Sequence, residues 1–389
     1  MIHPYPVRHE QNSTIAETDL EQVLDKDGNV LPGADVPDLT EDELVAMYEA
    51  IVSARRFDQR AISLQRQGKI ATYAPMTGQE GSQVATSYAL DAEDWLFPTY
   101  RDHAAKYVHG MELSSLLSVL KGHREGYNIP EGVNVMPEYI PIATQVPQAM
   151  GMAWGYKLQN EDRAVLCHFG DGATSEGDFH EGLNFAGVFD VPAVFVCNNN
   201  KWAISTPQDR QTASETYAIK AQAYGIESVR VDGLDPLAVY QVTRRAIRKA
   251  KNPDNERVVD GSTVSTRGRP TLIESVQYRF GAHTTADDPS VYRDEERAAY
   301  YRERDPLERL AGYLSKQGIL TSEREDAIEA RVEDRIDDAI EAAEAVETHP
   351  DDIFEHVYEE SPERLRKQQQ ELRDHCDEYG EEAFSGVLE

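Results

Sequence analysis

Two short apolar runs, each stopped by a polar cluster, constrain the fold of this chain more than any other feature. Val165-Leu166-Cys167-His168-Phe169 runs into Gly170-Asp171-Gly172, and Val194-Phe195-Val196-Cys197 runs into Asn198-Asn199-Asn200. Bounded runs of this length read as buried strands. The segment from Glu176 to Val188 has the length and mixed polarity of one crossover helix, and so short a connection joins neighbouring parallel strands. In open parallel sheets ligands gather beyond the carboxyl ends of the strands, where the Gly-Asp-Gly turn and the asparagine run both fall.

What such a crevice can hold follows from its donors. Magnesium takes about six oxygen ligands, commonly one or two carboxylates with phosphate oxygens and water, and Asp171 with the asparagine amides offers the protein's share. Gly170 and Gly172 let the backbone approach a diphosphate, and the amides opening the following helix favour negative charge. A dinucleotide fingerprint competes, but its third glycine is Ser175 here and the next strand ends in asparagines instead of an acid. Gly-Asp-Gly alone is also what a plain tight turn looks like. Its pairing with Asn199-Asn200 across one strand–helix–strand unit points to a metal-bound diphosphate instead.

The rest of the chain extends this architecture. Thr40 and Glu43 form a capping box, and Leu44, Met47, Tyr48 and Ile51 keep helical spacing until Gly68. Residues 76–160 mix short helical patterns with loops rich in aromatic and polar groups. Beyond the central unit, a strand near 226–231, a helix near 236–251 and a strand near 271–278 keep alternating. This predicts an α/β fold with a doubly wound, mainly parallel sheet flanked by helices. Residues 252–270 read as a polar solvent loop. From 323 to 346, Ile328, Val332, Ile336 and Ile340 form a narrow apolar stripe suited to packing on a neighbouring element or partner chain. The expected organisation is an irregular amino-terminal arm over 1–39, an α/β domain over 40–320, and a helical region with a tail over 321–389.

Charge narrows the partners. Lys+Arg 39 against Asp+Glu 70 leaves a net charge of −31, which repels a phosphate backbone and argues against nucleic acid. The acid is spread along the chain and arginine outnumbers lysine, a pattern that points to a halophilic cytoplasm where salt screens self-repulsion. Cys167, Cys197 and Cys376 make no disulfide framework. No segment approaches the roughly 20 apolar residues of a membrane span, and Met1 to Val30 lacks a signal-peptide run. The expectation is a cytoplasmic protein without a membrane partner.

The Gly-Asp-Gly to Asn-Asn pattern resembles the signature of thiamine diphosphate enzymes, and the wider sequence resembles the E1 alpha subunits of 2-oxoacid dehydrogenase complexes. Residues 172–178, 203–207, 230–233 and 365–372 are particularly similar to the branched-chain type. The resemblance implies that Asp171 and Asn200 bind magnesium by side chain and Trp202 by its backbone carbonyl. That last position is usually tyrosine. Gly170, Gly172 and Ala173 would meet the diphosphate through the backbone, and Tyr100 and Arg101 match a Tyr-Arg pair that reaches it. Asn198 replaces an arginine that touches phosphate in animal branched-chain enzymes, a neutral donor in place of a fork. Ile140 and Ile142 match the loop that passes the thiamine ring. In some members that loop also holds potassium, which would put Thr144 and Gln145 near a monovalent ion.

His283 stands where the family places an active-site histidine, in a loop after a strand. A near-neutral pKa there would suit proton transfer. Thr284 occupies the place of a kinase-regulated serine in animal enzymes. His103, His168 and His180 have no metal-ligand spacing. By resemblance, the reaction is decarboxylation of a 2-oxoacid, with the acyl group passed to a lipoyl group on an E2 acyltransferase. The glutamate that activates the cofactor belongs to a separate beta chain in the two-subunit type, so an alpha2-beta2 heterotetramer is expected. A branched-chain substrate is the first expectation; pyruvate or acetoin, and a transketolase-like half subunit, are the alternatives.

Overall fold

The computed structural model describes residues 19–380 except 139, 253–255, 260–261, 266–267, 348 and 356. Residues 1–18 of the expected arm and 381–389 of the expected tail lie outside the described residues. Helix α1 spans Glu41–Arg66, with the capping box formed as read: Thr40 accepts from Glu43 N, and the Glu43 carboxylate accepts from Thr40 N at 2.7 Å. Then come α2 Glu80–Tyr88, β1 Trp95–Phe97, α3 His103–Val108, α4 Leu113–Leu120 and α5 Gln145–Gln159. The central unit is β2 Val165–Gly170, a 3-10 turn, α6 Gly177–Phe189 and β3 Ala193–Asn199. It continues through β4 Trp202–Ala203, β5 Thr206–Pro207, α7 Gln208–Gln211, β6 Glu227–Asp232 and α8 Pro236–Lys251. The remainder is β7 Glu256–Val259, β8 Ser262–Ser265, β9 Thr271–Val276, α9 Glu295–Arg302, α10 Pro306–Lys316, α11 Ser322–Glu344, α12 Asp352–Glu355 and α13 Glu363–Tyr379.

Among the described residues the main sheet has five strands in the order β1-β2-β3-β9-β6, each pair parallel. Successive strand residues face opposite sides. Leu166, Val194, Val196 and Ile273 therefore join the core beneath α1, α2 and α8, whereas Val165, Cys167, Phe169, Phe195, Cys197 and Leu272 join the core beneath α5 and α6. Burial on both faces explains why these strands read as continuous apolar runs. Gly170 pairs with Asn198 and Asn198 with Ser275, so the strand ends lie level and their loops open at one edge.

Several expectations change. Residues 95–97, read as part of a loop, form the edge strand β1. Part of the expected 252–270 solvent loop is an antiparallel hairpin, β7 with β8. The stripe on α11 packs on neighbouring elements, the first of the two uses expected for it: Ile328, Val332 and Ile336 are fully buried in the core shared with α1 and α4. Ion pairs edge that seam, Arg56 with Glu329 at 3.1 Å, Arg60 with Glu333 and Asp337 at 2.6 Å each, and Lys69 with Glu344 at 2.7 Å. The residue numbers rise together, so the two helices run parallel. Among the described residues no helix is long and apolar enough to cross a membrane.

Candidate active site

At the carboxyl edge of the sheet lies a cavity of about 390 Å³. It brings together Tyr100, Arg101, Ile140, Ile142, Gly170, Asp171, Gly172, Ala173, Asn198, Asn200, Trp202 and His283. These come from loops after β1, β2, β3 and β9 and from the loop before α5, so the parallel sheet is what gathers them.

Asp171 follows β2 and is 1% exposed. Burial pushes its carboxyl up to about 6, opposed first by a hydrogen bond from Gln211 Nε2 to Oδ2 at 2.9 Å. Asn200 donates through Nδ2 to Gln79 Oε1 at 3.0 Å and accepts through Oδ1 from Trp202 N at 3.1 Å. Its oxygen therefore points along the chain toward Trp202. Left-handed backbone clusters here at non-glycine residues: Lys201 has φ 73° and Ile204 φ 55°, and Ala143 in the loop before α5 has φ 67°. A β-branched residue in that region is strained, and such strain persists where surrounding structure holds it. At Gly172 an added Cβ would lie 2.8 Å from Ala203 Cβ, so glycine is what lets the turn and β4 approach.

Arg101 ties three loops together. It donates to the Pro75 carbonyl at 2.5 Å and to the carbonyl and ring Nδ1 of His283 at 2.9 and 3.1 Å. Tyr100 meets the His283 ring edge-on, 6.3 Å between centroids. The His283 backbone N–H donates to Asp287 Oδ2 at 2.6 Å. Nearby, Thr285 N donates to the Tyr73 carbonyl at 2.8 Å, and the Tyr73 hydroxyl to Asp58 at 2.7 Å. Burial, then the charges of Arg101 and Arg279, lowers the His283 pKa to about 4. The expected near-neutral titration is thus corrected, because a half-buried imidazole beside guanidinium groups resists protonation.

Asn198 lines the cavity and is also hydrogen-bonded inside the protein. Its Nδ2 donates to Asp102 Oδ1 at 3.4 Å and its Oδ1 accepts from Gln277 Nε2 at 2.9 Å. His168 is also internal, between Asp102 at 3.3 Å and Thr86 Oγ1 at 3.1 Å. Gln79 and Gln211 were missed by sequence reasoning: an isolated glutamine beside a short helix carries no chemical pattern, and only the fold aims it.

The donors fit a magnesium diphosphate. Asp171, the Asn200 amide and the Trp202 carbonyl are an oxygen set of the kind magnesium takes. Gln79 Nε2 and Gln145 Oε1 line the same cavity and are buried without a hydrogen-bond partner among the described residues. Buried polar atoms ordinarily find partners, and an anionic oxygen would satisfy the first of these. Among the described residues no group of three or more His, Cys, Asp or Glu is arranged to hold a metal.

Residues 48–351 match the family of dehydrogenase E1 components, and the chain belongs to that family. It is similar to the pyruvate dehydrogenase E1 component subunit alpha of Staphylococcus epidermidis, 42% identical over 359 residues that cover 92% of this chain and 93% of the relative. The Staphylococcus aureus protein of the same name is 41% identical over 359 residues, with the same coverage of each chain. The parallel sheet and its flanking helices are the α/β fold of this E1 class, and the chain is an E1-type dehydrogenase component.

Proposed function

We propose that this chain is the alpha subunit of a thiamine diphosphate-dependent 2-oxoacid dehydrogenase whose substrate is pyruvate. Short motifs lean toward the branched-chain type, but the relatives named for pyruvate match across 92% of the chain, and the longer match carries more weight. The observation that supports the reading best is the meeting of Asp171, Asn200 and Trp202 in one cavity with Arg101 and His283.

Thiamine diphosphate, when bound, supplies the electron sink for loss of carbon dioxide. Asp171, the Asn200 oxygen and the Trp202 carbonyl hold its magnesium. Gly172 and Ala173 bring backbone to the diphosphate, with Gln79 and the Arg101 charge beside it. His283, neutral near pH 7, donates a hydrogen bond to substrate oxygen instead of adding a charge. Gln145 offers its spare Oε1 as an oxygen ligand for potassium.

The cavity rim argues for a second chain. Ile140, Ile142 and Ile204 are 71%, 45% and 58% exposed there, and an apolar rim in a protein of net charge −31 calls for a cover. We assign that cover to an E1 beta subunit in an alpha2-beta2 heterotetramer that serves a lipoylated E2 acyltransferase. The test is to assay the chain alone, and co-expressed with its beta subunit, on a panel of 2-oxoacids with an artificial electron acceptor. Activity should need both chains and be greatest with pyruvate. Full activity from this chain alone would overturn the division of labour, and a preference for branched-chain acids would overturn the substrate.

A further inference from the structure

Asp171 is held by a side chain that enters from beyond the β4–β5 hairpin. Gln211 Nε2 donates to Asp171 Oδ2 at 2.9 Å and to the Thr206 carbonyl at 3.0 Å, while Gln211 Oε1 accepts from the Tyr217 hydroxyl at 3.0 Å. These bonds decide which way the amide faces. Turned over, its oxygen would confront two acceptors, the Asp171 carboxylate and the Thr206 carbonyl. Tyr217 is fully buried, so its hydroxyl is a fixed point from which the half-buried glutamine is set.

We propose that Gln211, keyed by Tyr217, is a positioning residue that holds the Asp171 carboxylate in the orientation magnesium demands. The inference rests on the reading of Asp171 as a magnesium ligand. Magnesium requires near-octahedral ligands at about 2.0–2.1 Å, so a ligating carboxylate must be fixed in rotation as well as position. A neutral amide does this without the competing charge that arginine or lysine would bring. The brace also couples two ligands. Thr206–Pro207 pairs back on Trp202–Ala203, so the segment that carries the Trp202 carbonyl is tied through Thr206 and Gln211 to Asp171.

The test is magnesium titration of the assembled enzyme, saturated with thiamine diphosphate, followed by calorimetry and tryptophan fluorescence, with a parallel calcium titration. Gln211→Met keeps the side-chain length and removes the donor; Tyr217→Phe removes the key. Outer-sphere partners of metal ligands are worth about 10- to 100-fold in affinity, so Gln211→Met should raise the magnesium Kd by that factor. Tyr217→Phe should raise it less, and the double variant should be no worse than Gln211→Met alone, since both act through one bond. Calcium accepts irregular geometry, so its Kd should rise less and the preference for magnesium should narrow. An equal loss for both cations would mean only local unfolding and would overturn the brace. Unchanged magnesium affinity in Gln211→Met, beside a large loss in Asp171→Ala, would overturn the brace and leave the proposed function standing. Unchanged affinity in Asp171→Ala would overturn both.

Discussion

One guanidinium nitrogen of Arg101, Nη2, lies 2.9 Å from the carbonyl and 3.1 Å from the ring Nδ1 of His283. A guanidinium only donates, so Nδ1 is the unprotonated ring nitrogen and Nε2 carries the proton. The ring is neutral, and the same arginine that fixes its place fixes its tautomer.

Imidazole NMR of the cofactor-free chain should therefore show His283 titrating near 4 rather than at the ordinary 6.5. Arg101→Met should move the midpoint upward, though not to 6.5, because burial is the larger cause. The linked stability has a definite sign. A depressed histidine is neutral in the fold, so its contribution is complete above about 6.5 and fades as pH falls toward 4. A wild-type midpoint between 6 and 7 would refute the lowering of the His283 pKa by burial and the neighbouring guanidinium charges.

Asp171 should show a trade between stability and binding. A buried carboxylate without its cation is unfavourable, so Asp171→Asn should raise the Tm of the cofactor-free chain. The same change should weaken magnesium binding by at least about 10-fold, the scale of one lost charge-assisted contact. Calorimetric unfolding and metal titration of one preparation measure both.

Ile336 tests the seam between α1 and α11. It is fully buried, and truncating such a side chain leaves a cavity, so Ile336→Ala should cost about 2–5 kcal/mol in urea unfolding. A cost under about 1 kcal/mol would mean α11 is not part of the main core.

Salt should stabilise the chain. Exposed pairs such as Arg60 with Glu333, 37% and 48% exposed, contribute little and are screened, so repulsion from the net charge of −31 decides the sign. The urea midpoint should rise as KCl goes from about 0.1 to about 2 M, over which range screening shortens to a few ångströms. A midpoint indifferent to salt would remove the halophile reading.

The amino-acid sequence by itself determined the parts of this protein that depend on neighbours along the chain. The capping box at Thr40 and the strand–helix–strand unit from Val165 to Asn199 follow from turn residues and hydrophobic period, which act over a few residues. So does the placing of Asp171 and the asparagines at strand ends. Tertiary structure alone decided what those groups touch. The Asn200 amide is met by Gln79, 121 positions away, and Arg101 meets His283 across 182. Asn198 meets Gln277, 79 positions on. The pKa of His283 and the direction of the α11 stripe were likewise beyond local reading. Both are set by burial and by charges on distant segments, and no residue pattern encodes how deep a side chain will lie or which cation will stand beside it.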